Sequence, residues 1–246
     1  MPIEHAALLK TQRDLHDIPR GMERFQAYLK AIINDEGDDV RYMPMVAMNP
    51  MGREHVAERL DELLALDADA AAAEAIAEAL SRLGDVPDVL QHGLVIVDDV
   101  RGGWTNRTNY DFWGRFGLEM PLKRPWLMTG LWVSEAPSLQ HICQSVLLTV
   151  FRLKYIQQHG QPKTLREMLV QEGAAGAFAG LQPRHDAEEI AYTREALAPC
   201  MDSTDYAVQI AALYGNQAAR MLGYEPLGVS EHAAFDMALA DTIAQS

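Results

Sequence analysis

Cysteine is nearly absent: Cys143 and Cys200 are the only two. A disulfide framework is thereby excluded, and buried thiols in a reducing compartment are expected. Long apolar runs are missing as well, since no segment approaches the roughly 18 consecutive apolar residues of a membrane span. Residues 1–10 hold no basic run followed by a signal-like apolar stretch. Basic charge is scarce, with 21 Lys and Arg against 35 Asp and Glu and a formal net charge of −14. Such a surface repels phosphate backbones and anionic headgroups, so neither nucleic acid nor membrane is expected as a partner. The sequence contains no G-x-S-x-G and no dinucleotide fingerprint. His5, His16, His55, His92, His159, His185 and His232 stand singly, without metal-ligand spacing. No metal or other cofactor is expected, and the cytoplasm is the expected location.

What is present is ordinary globular text: 48% hydrophobic and 23% charged residues in a chain of 246. This is far from the composition of disordered chains. No linker or internal repeat interrupts it, so a single domain over 1–246 is expected. Met22, Phe25, Leu29 and Ile32 recur at helical steps within 18–33. Residues 40–48, rich in large apolar side chains, read as a strand closed by the turn 49–52. Val56, Leu60, Leu63 and Leu64 mark the next helix, and the alanine-rich stretch 68–83, ended by Gly84, another. The apolar, β-branched run 93–97 predicts a buried strand, and the alternation in 125–133 a further one.

After Pro137 the text is helical to the end. Leu139, Ile142, Val146, Val150 and other apolar residues form a continuous stripe over 138–159. Thr164 with Glu167 and Asp186 with Glu189 have the spacing of capping boxes, opening two more helices. Helices are also predicted over 204–222 and from 230 onward. Strands early and helices late predict an α+β fold, a small mostly antiparallel sheet in the N-terminal half packed against a helical C-terminal half.

Two groups of residues carry potential chemistry. The segment 98–107 follows a predicted strand, contains Gly102 and Gly103, and brings Asp98, Asp99, Arg101, Trp104, Asn106 and Arg107 together. Its arginines and tryptophan offer an anion-binding or stacking platform and its aspartates a base. The same residues also read as a tight turn whose charges pair with one another, and the sequence leaves both open. On the long helix, His141, Ser145, Thr149 and Arg152 are spaced by four, four and three, a polar stripe beside the apolar one. That stripe reads equally as a solvated side or as the wall of a cleft.

The order of strand 126–133, helix 138–159 and a capped helix containing Glu172-Gly173-Ala174 resembles the zincin metalloproteases of the gluzincin kind. The resemblance covers about 125–180. It implies a zincin-like fold in which Glu172 takes the place of the third zinc ligand. The positions of the H-E-x-x-H motif, however, hold Ser145, Val146, Leu147, Leu148 and Thr149. Hydroxyls are poor zinc ligands and the general-base glutamate is absent, so the resemblance implies a scaffold that has lost zinc hydrolysis.

Three functional readings follow. The first is a pseudoenzyme or binding module whose metal-free cleft near Ser145, Thr149, Arg152, Tyr155 and Glu172 takes a small polar ligand or peptide. The second is a metal-independent enzyme acting on a small anionic substrate through 98–107, with Arg152 or His141. The third is a structural partner protein associating through its alanine-rich helix. The sequence leaves the oligomeric state open.

Overall fold

The computed structural model describes residues 3–84, 90–100, 105–117 and 125–245. Two compact units are distinguished along the chain. The first comprises Met1–Arg107 with Leu118–Val150, and the second Thr108–Gly117 with Phe151–Ser246.

The first unit is built on three strands, β1 (Ile3–Ala6), β2 (Leu90–Val97) and β3 (Trp126–Trp132). They lie in the order β1-β2-β3 and all run parallel, with Ile3 opposite Leu90 and Gln91 opposite Trp126 at the start of each pairing. The expected mostly antiparallel, zincin-like sheet is thus overturned: the described residues form an α/β arrangement of three parallel strands among ten helices. The connections impose this. Parallel neighbours need long crossovers, and between β1 and β2 the chain runs through α1 (Leu9–Leu15), α2 (Met22–Ile32), α3 (Glu54–Ala65) and α4 (Ala68–Leu83). No two-residue hairpin signal joins any pair of strands. The uninterrupted apolar run at 93–97 fits a parallel strand buried on both faces, and Leu94, Val95, Ile96 and Val97 are all buried.

The strand expected over 40–48 does not form. Met43–Ala47 is a short 3₁₀ helix, and the neighbouring pairing is a single antiparallel bridge from Ile33 to Val40. Pro44, with no N–H to give a ladder, stands in the first turn of that helix, and Met45 and Met48, three apart, face the core. The alanine-rich α4 buries Ala72, Ala75, Ile76 and Ala79 within the protein.

β1 is too short to accompany β2 along its length, because its pairing stops at Ala6 opposite Gly93. Beyond that point the fully buried side chain of Gln12 on α1 takes over. Its amide donates to the Leu94 carbonyl at 2.9 Å and its oxygen accepts from the Ile96 N–H at 2.9 Å. One glutamine thus serves as the missing residue of a neighbouring strand. Gln12→Leu leaves a buried N–H and a buried C=O unpaired, and a loss of about 2 kcal/mol is expected in urea unfolding. An unchanged midpoint would mean that the strand edge finds other partners.

The second unit takes α5 (Arg107–Phe116) from Thr108 onward, and α6 (Leu139–His159) from Phe151 onward. It continues with α7 (Leu165–Phe178), α8 (Ala187–Leu197), α9 (Tyr206–Met221) and α10 (Ala233–Ala244). Its core gathers Leu165, Leu169, Leu197, Ile210, Leu213 and Val229. Thr164 and Glu167 form the expected reciprocal capping box, and Asp186 accepts from the Glu189 N–H at 2.9 Å. Gly215 breaks the regular path of α9 with φ +81°, and a Cβ there would lie 2.7 Å from the Ser230 carbonyl oxygen. Among the described residues no helix is long and apolar enough to cross a membrane.

Candidate functional site

In parallel sheets the loops leaving the carboxyl ends of the strands are where polar side chains gather, because the strands deliver them there on a rigid base. β2 ends at Val97 and is followed by Asp98 and Asp99. Asp98 is buried, and its carboxylate accepts from Asn49 Nδ2 at 3.0 Å, His55 Nε2 at 3.1 Å and its own loop at the Val100 N–H, 3.3 Å. It holds the 3₁₀–α3 connection and the start of α3 against the strand end.

Asp99 reaches across to the end of β3. It accepts from the Ser134 N–H at 3.0 Å, the Ser134 hydroxyl at 2.6 Å and Arg107 Nη1 at 3.1 Å. Arg107, the first residue of α5, also donates to Ser134 Oγ at 2.8 Å, pairs with Glu135 and lies over the Trp132 ring, 4.9 Å from its centroid. Glu135 is shared with His141 on the first turn of α6, whose Nε2 is 3.0 Å from Glu135 Oε2. Burial works to raise the Glu135 carboxyl, but the His141 hydrogen bond and the Arg107 charge outweigh it and hold it at about 2. The carboxylate is therefore ionised throughout the physiological range.

A shallow indentation of about 10 Å³, room for about one water molecule, lies beside this group. The apolar side chains Leu63, Ile96 and Trp132 line it, and Arg59, Glu135 and His141 give it its polar part. Arg59 is itself held by α3 and the end of β3, donating to the Val133 carbonyl at 3.2 Å and pairing with Glu62.

Asp98, Asp99, Arg107 and His141, assigned by sequence to two separate groups, therefore meet at one end of the first unit. Asn106 is exposed beside them, and Arg101 and Trp104 lie outside the described residues. The polar stripe of α6 does not act as a set. Ser145 supplies its carbonyl to the Thr149 hydroxyl at 2.9 Å, and Thr149 is turned into the sheet interior. In the second unit Arg152 is committed to Glu172, with Nε and Nη2 each 2.7 Å from a carboxylate oxygen. Tyr155 packs between Phe151 and His159. Arg59, Ser134 and Glu135 carried no motif. The one available signal was position, since Ser134 and Glu135 follow directly on a predicted strand.

Glu172, in the place of a third zinc ligand by resemblance, is instead clasped by Arg152, Arg115 and Gln171. Among the described residues no group of three or more His, Cys, Asp or Glu is arranged to hold a metal ion. Cys143 and Cys200 are half-buried free thiols, and burial pushes both up. Comparison with protein-family models, curated proteins and solved structures gives no match.

Proposed function

We propose that this protein binds a small polar molecule at the carboxyl edge of its parallel sheet. The observation that carries the reading is the convergence of Arg59 from α3, Glu135 from the loop after β3 and His141 from α6 around one shallow indentation. Fixed charged and hydrogen-bonding groups of this kind hold a polar ligand at the surface by charge-assisted hydrogen bonds. Glu135 stays ionised and keeps His141 in place, so the imidazole can meet a ligand from a fixed position. Asp99 and Arg107 hold this arrangement from behind. The reading departs from a site formed by Ser145, Thr149, Arg152, Tyr155 and Glu172, where Thr149 bonds to Thr129 and Arg152 and Glu172 are paired with each other.

The test is a saturation-transfer NMR screen of small aromatic and aliphatic carboxylates, amines and amides against the whole chain, followed by titration of the hits. His141→Ala, at a side chain that is 40% exposed, should leave folding intact and weaken binding of the hits about tenfold. Equal affinity in the variant, or no compound bound by the unmodified protein, would count against this site.

A further inference from the structure

The interior of the first unit contains one continuous line of polar side chains. Asp69 Oδ1 on α4 lies 2.8 Å from His5 Nε2 on β1. His5 Nδ1 lies 2.9 Å from His92 Nδ1 on β2, and His92 Nε2 lies 2.8 Å from the Thr129 hydroxyl on β3. Thr129 meets the Thr149 hydroxyl on α6 at 3.0 Å, and Thr149 reaches the Ser145 carbonyl at 2.9 Å. His92 is fully buried, and Thr129 and Thr149 are buried with it.

Both ends of the line, a carboxylate and a backbone carbonyl, only accept. The five contacts between them each require one proton. Two neutral imidazoles and two hydroxyls supply only four. With neutral histidines and an ionised Asp69, one contact is therefore always without its proton, and the one that can be released is the contact of Thr149 with the Ser145 carbonyl.

We propose that the Asp69–His5 end of this line stores one additional proton, and that its release reverses the direction of the hydrogen bonds through His92, Thr129 and Thr149. With the proton present every donor points away from His5. His5 donates to both Asp69 and His92, His92 donates from Nε2 to Thr129, Thr129 to Thr149, and Thr149 to Ser145. When the proton leaves, His5 keeps its bond to Asp69 and becomes an acceptor at Nδ1. His92 then donates from Nδ1 to His5, Thr129 donates to His92, and Thr149 turns to Thr129 and gives up Ser145, whose carbonyl keeps its helical N–H partner. Four protons then serve four contacts, and the proton balance closes in both states.

The titratable groups facing His5 are Asp69 from α4 and His92 from β2, while Glu4, its neighbour on β1, is exposed. Burial, with His5 adding to it, presses His92 down to about 3, which keeps that ring neutral and makes it the relay rather than the store. The device links α4 to α6, the helix that carries His141.

Imidazole ¹⁵N NMR on the whole protein tests this at about pH 5 and about pH 8. His92 is expected to be neutral at both, protonated on Nε2 at the lower pH and on Nδ1 at the higher. One and the same tautomer at both, or an imidazolium at His92, overturns the proposal. Thr149→Val, close in shape, removes one donor and two contacts, leaving three protons for three contacts. In that variant His92 should carry its proton on Nδ1 at both pH values, and a persisting exchange of tautomers would overturn the proposal independently.

Discussion

Glu172→Gln should lower the stability of the second unit by about 3–5 kcal/mol in chemical denaturation. The carboxylate is 3% exposed and accepts from Arg152 Nε and Nη2 at 2.7 Å each, from Arg115, and from Gln171 Nε2 at 3.3 Å. Arg115 in turn donates to Asp111 at 2.7 Å and lies 4.6 Å over the Phe235 ring. Two guanidinium groups are thus balanced by two carboxylates in a closed setting. Taking away one negative charge leaves a buried cation uncompensated, which is far more costly than never having buried the pair. The double variant Arg152→Met with Glu172→Leu, which removes both charges and keeps volume, should therefore recover much of the loss. A cost below about 1 kcal/mol for the single variant would place the carboxylate in a solvated setting instead.

The same group sets an acid limb. Burial works to raise the Glu172 carboxyl, but Arg152 and Arg115 outweigh it and bring it from 4.5 down to about 2. A carboxyl depressed on folding stabilises the folded state fully above its unfolded value, and the contribution is lost as pH falls towards the folded one. Stability of the second unit should therefore decline between 4.5 and about 2, and the decline should be shallower in Glu172→Gln. Parallel curves for the two proteins over that window would assign the acid limb to other groups.

Gly173→Ala is expected to cost about 3 kcal/mol. A methyl group there would stand 2.4 Å from the Ala238 carbonyl oxygen and 2.5 Å from Thr242 Oγ1, where α10 crosses α7. The first of these is backbone and cannot turn aside. Helix propensity works the other way, since alanine is favoured over glycine by about 1 kcal/mol in a helix interior, so a net loss measures the closeness of the crossing. Gly176 in the same helix provides the contrast. Its nearest neighbour would be Leu239 Cδ1 at 3.2 Å, the end of a side chain that can shift, so Gly176→Ala should be close to neutral. Similar costs at both positions would mean that the two helices separate more readily than this geometry allows.

These two neighbours explain a pattern that resembles a metal ligand motif. Glu172 followed by Gly173 and a run of small residues serves a buried ion pair and a close helix crossing, one turn of chain meeting two packing demands. Charge burial and metal ligation favour the same residue types, and only the partner tells them apart. Here the partners are Arg152 and Arg115, 20 and 57 positions away in sequence.

Elements with a local cause are legible in the amino-acid sequence. The 16-residue α4 with Gly84 behind it, the long α6, the capping box of Thr164 and Glu167, and the strands around 93–97 and 126–132 each follow from periodicity or from a cap whose donors and acceptors are neighbours in the chain. β1, α1 and α5 leave little trace. A four-residue strand has no period to recognise, and Ile3–Ala6 is a strand only because β2 lies beside it. The segment 40–48 misleads because large apolar residues suit a buried 3₁₀ turn as well as a strand, and Pro44 is the one local sign against pairing.

Of the candidate site, the amino acids alone determined that Asp98 and Asp99 sit at a strand end, because a buried apolar run must stop where charges begin. Tertiary structure decided the rest. It joined His141 to them through Glu135, turned Thr149 inward and Arg152 towards Glu172, and aligned three strands in parallel. The physical reason is common to all of these. Local pattern sets which face of an element is apolar, but the partner of a buried charge and the direction of a neighbouring strand are chosen by contacts between residues far apart in the chain, and no window of sequence contains both sides of such a contact.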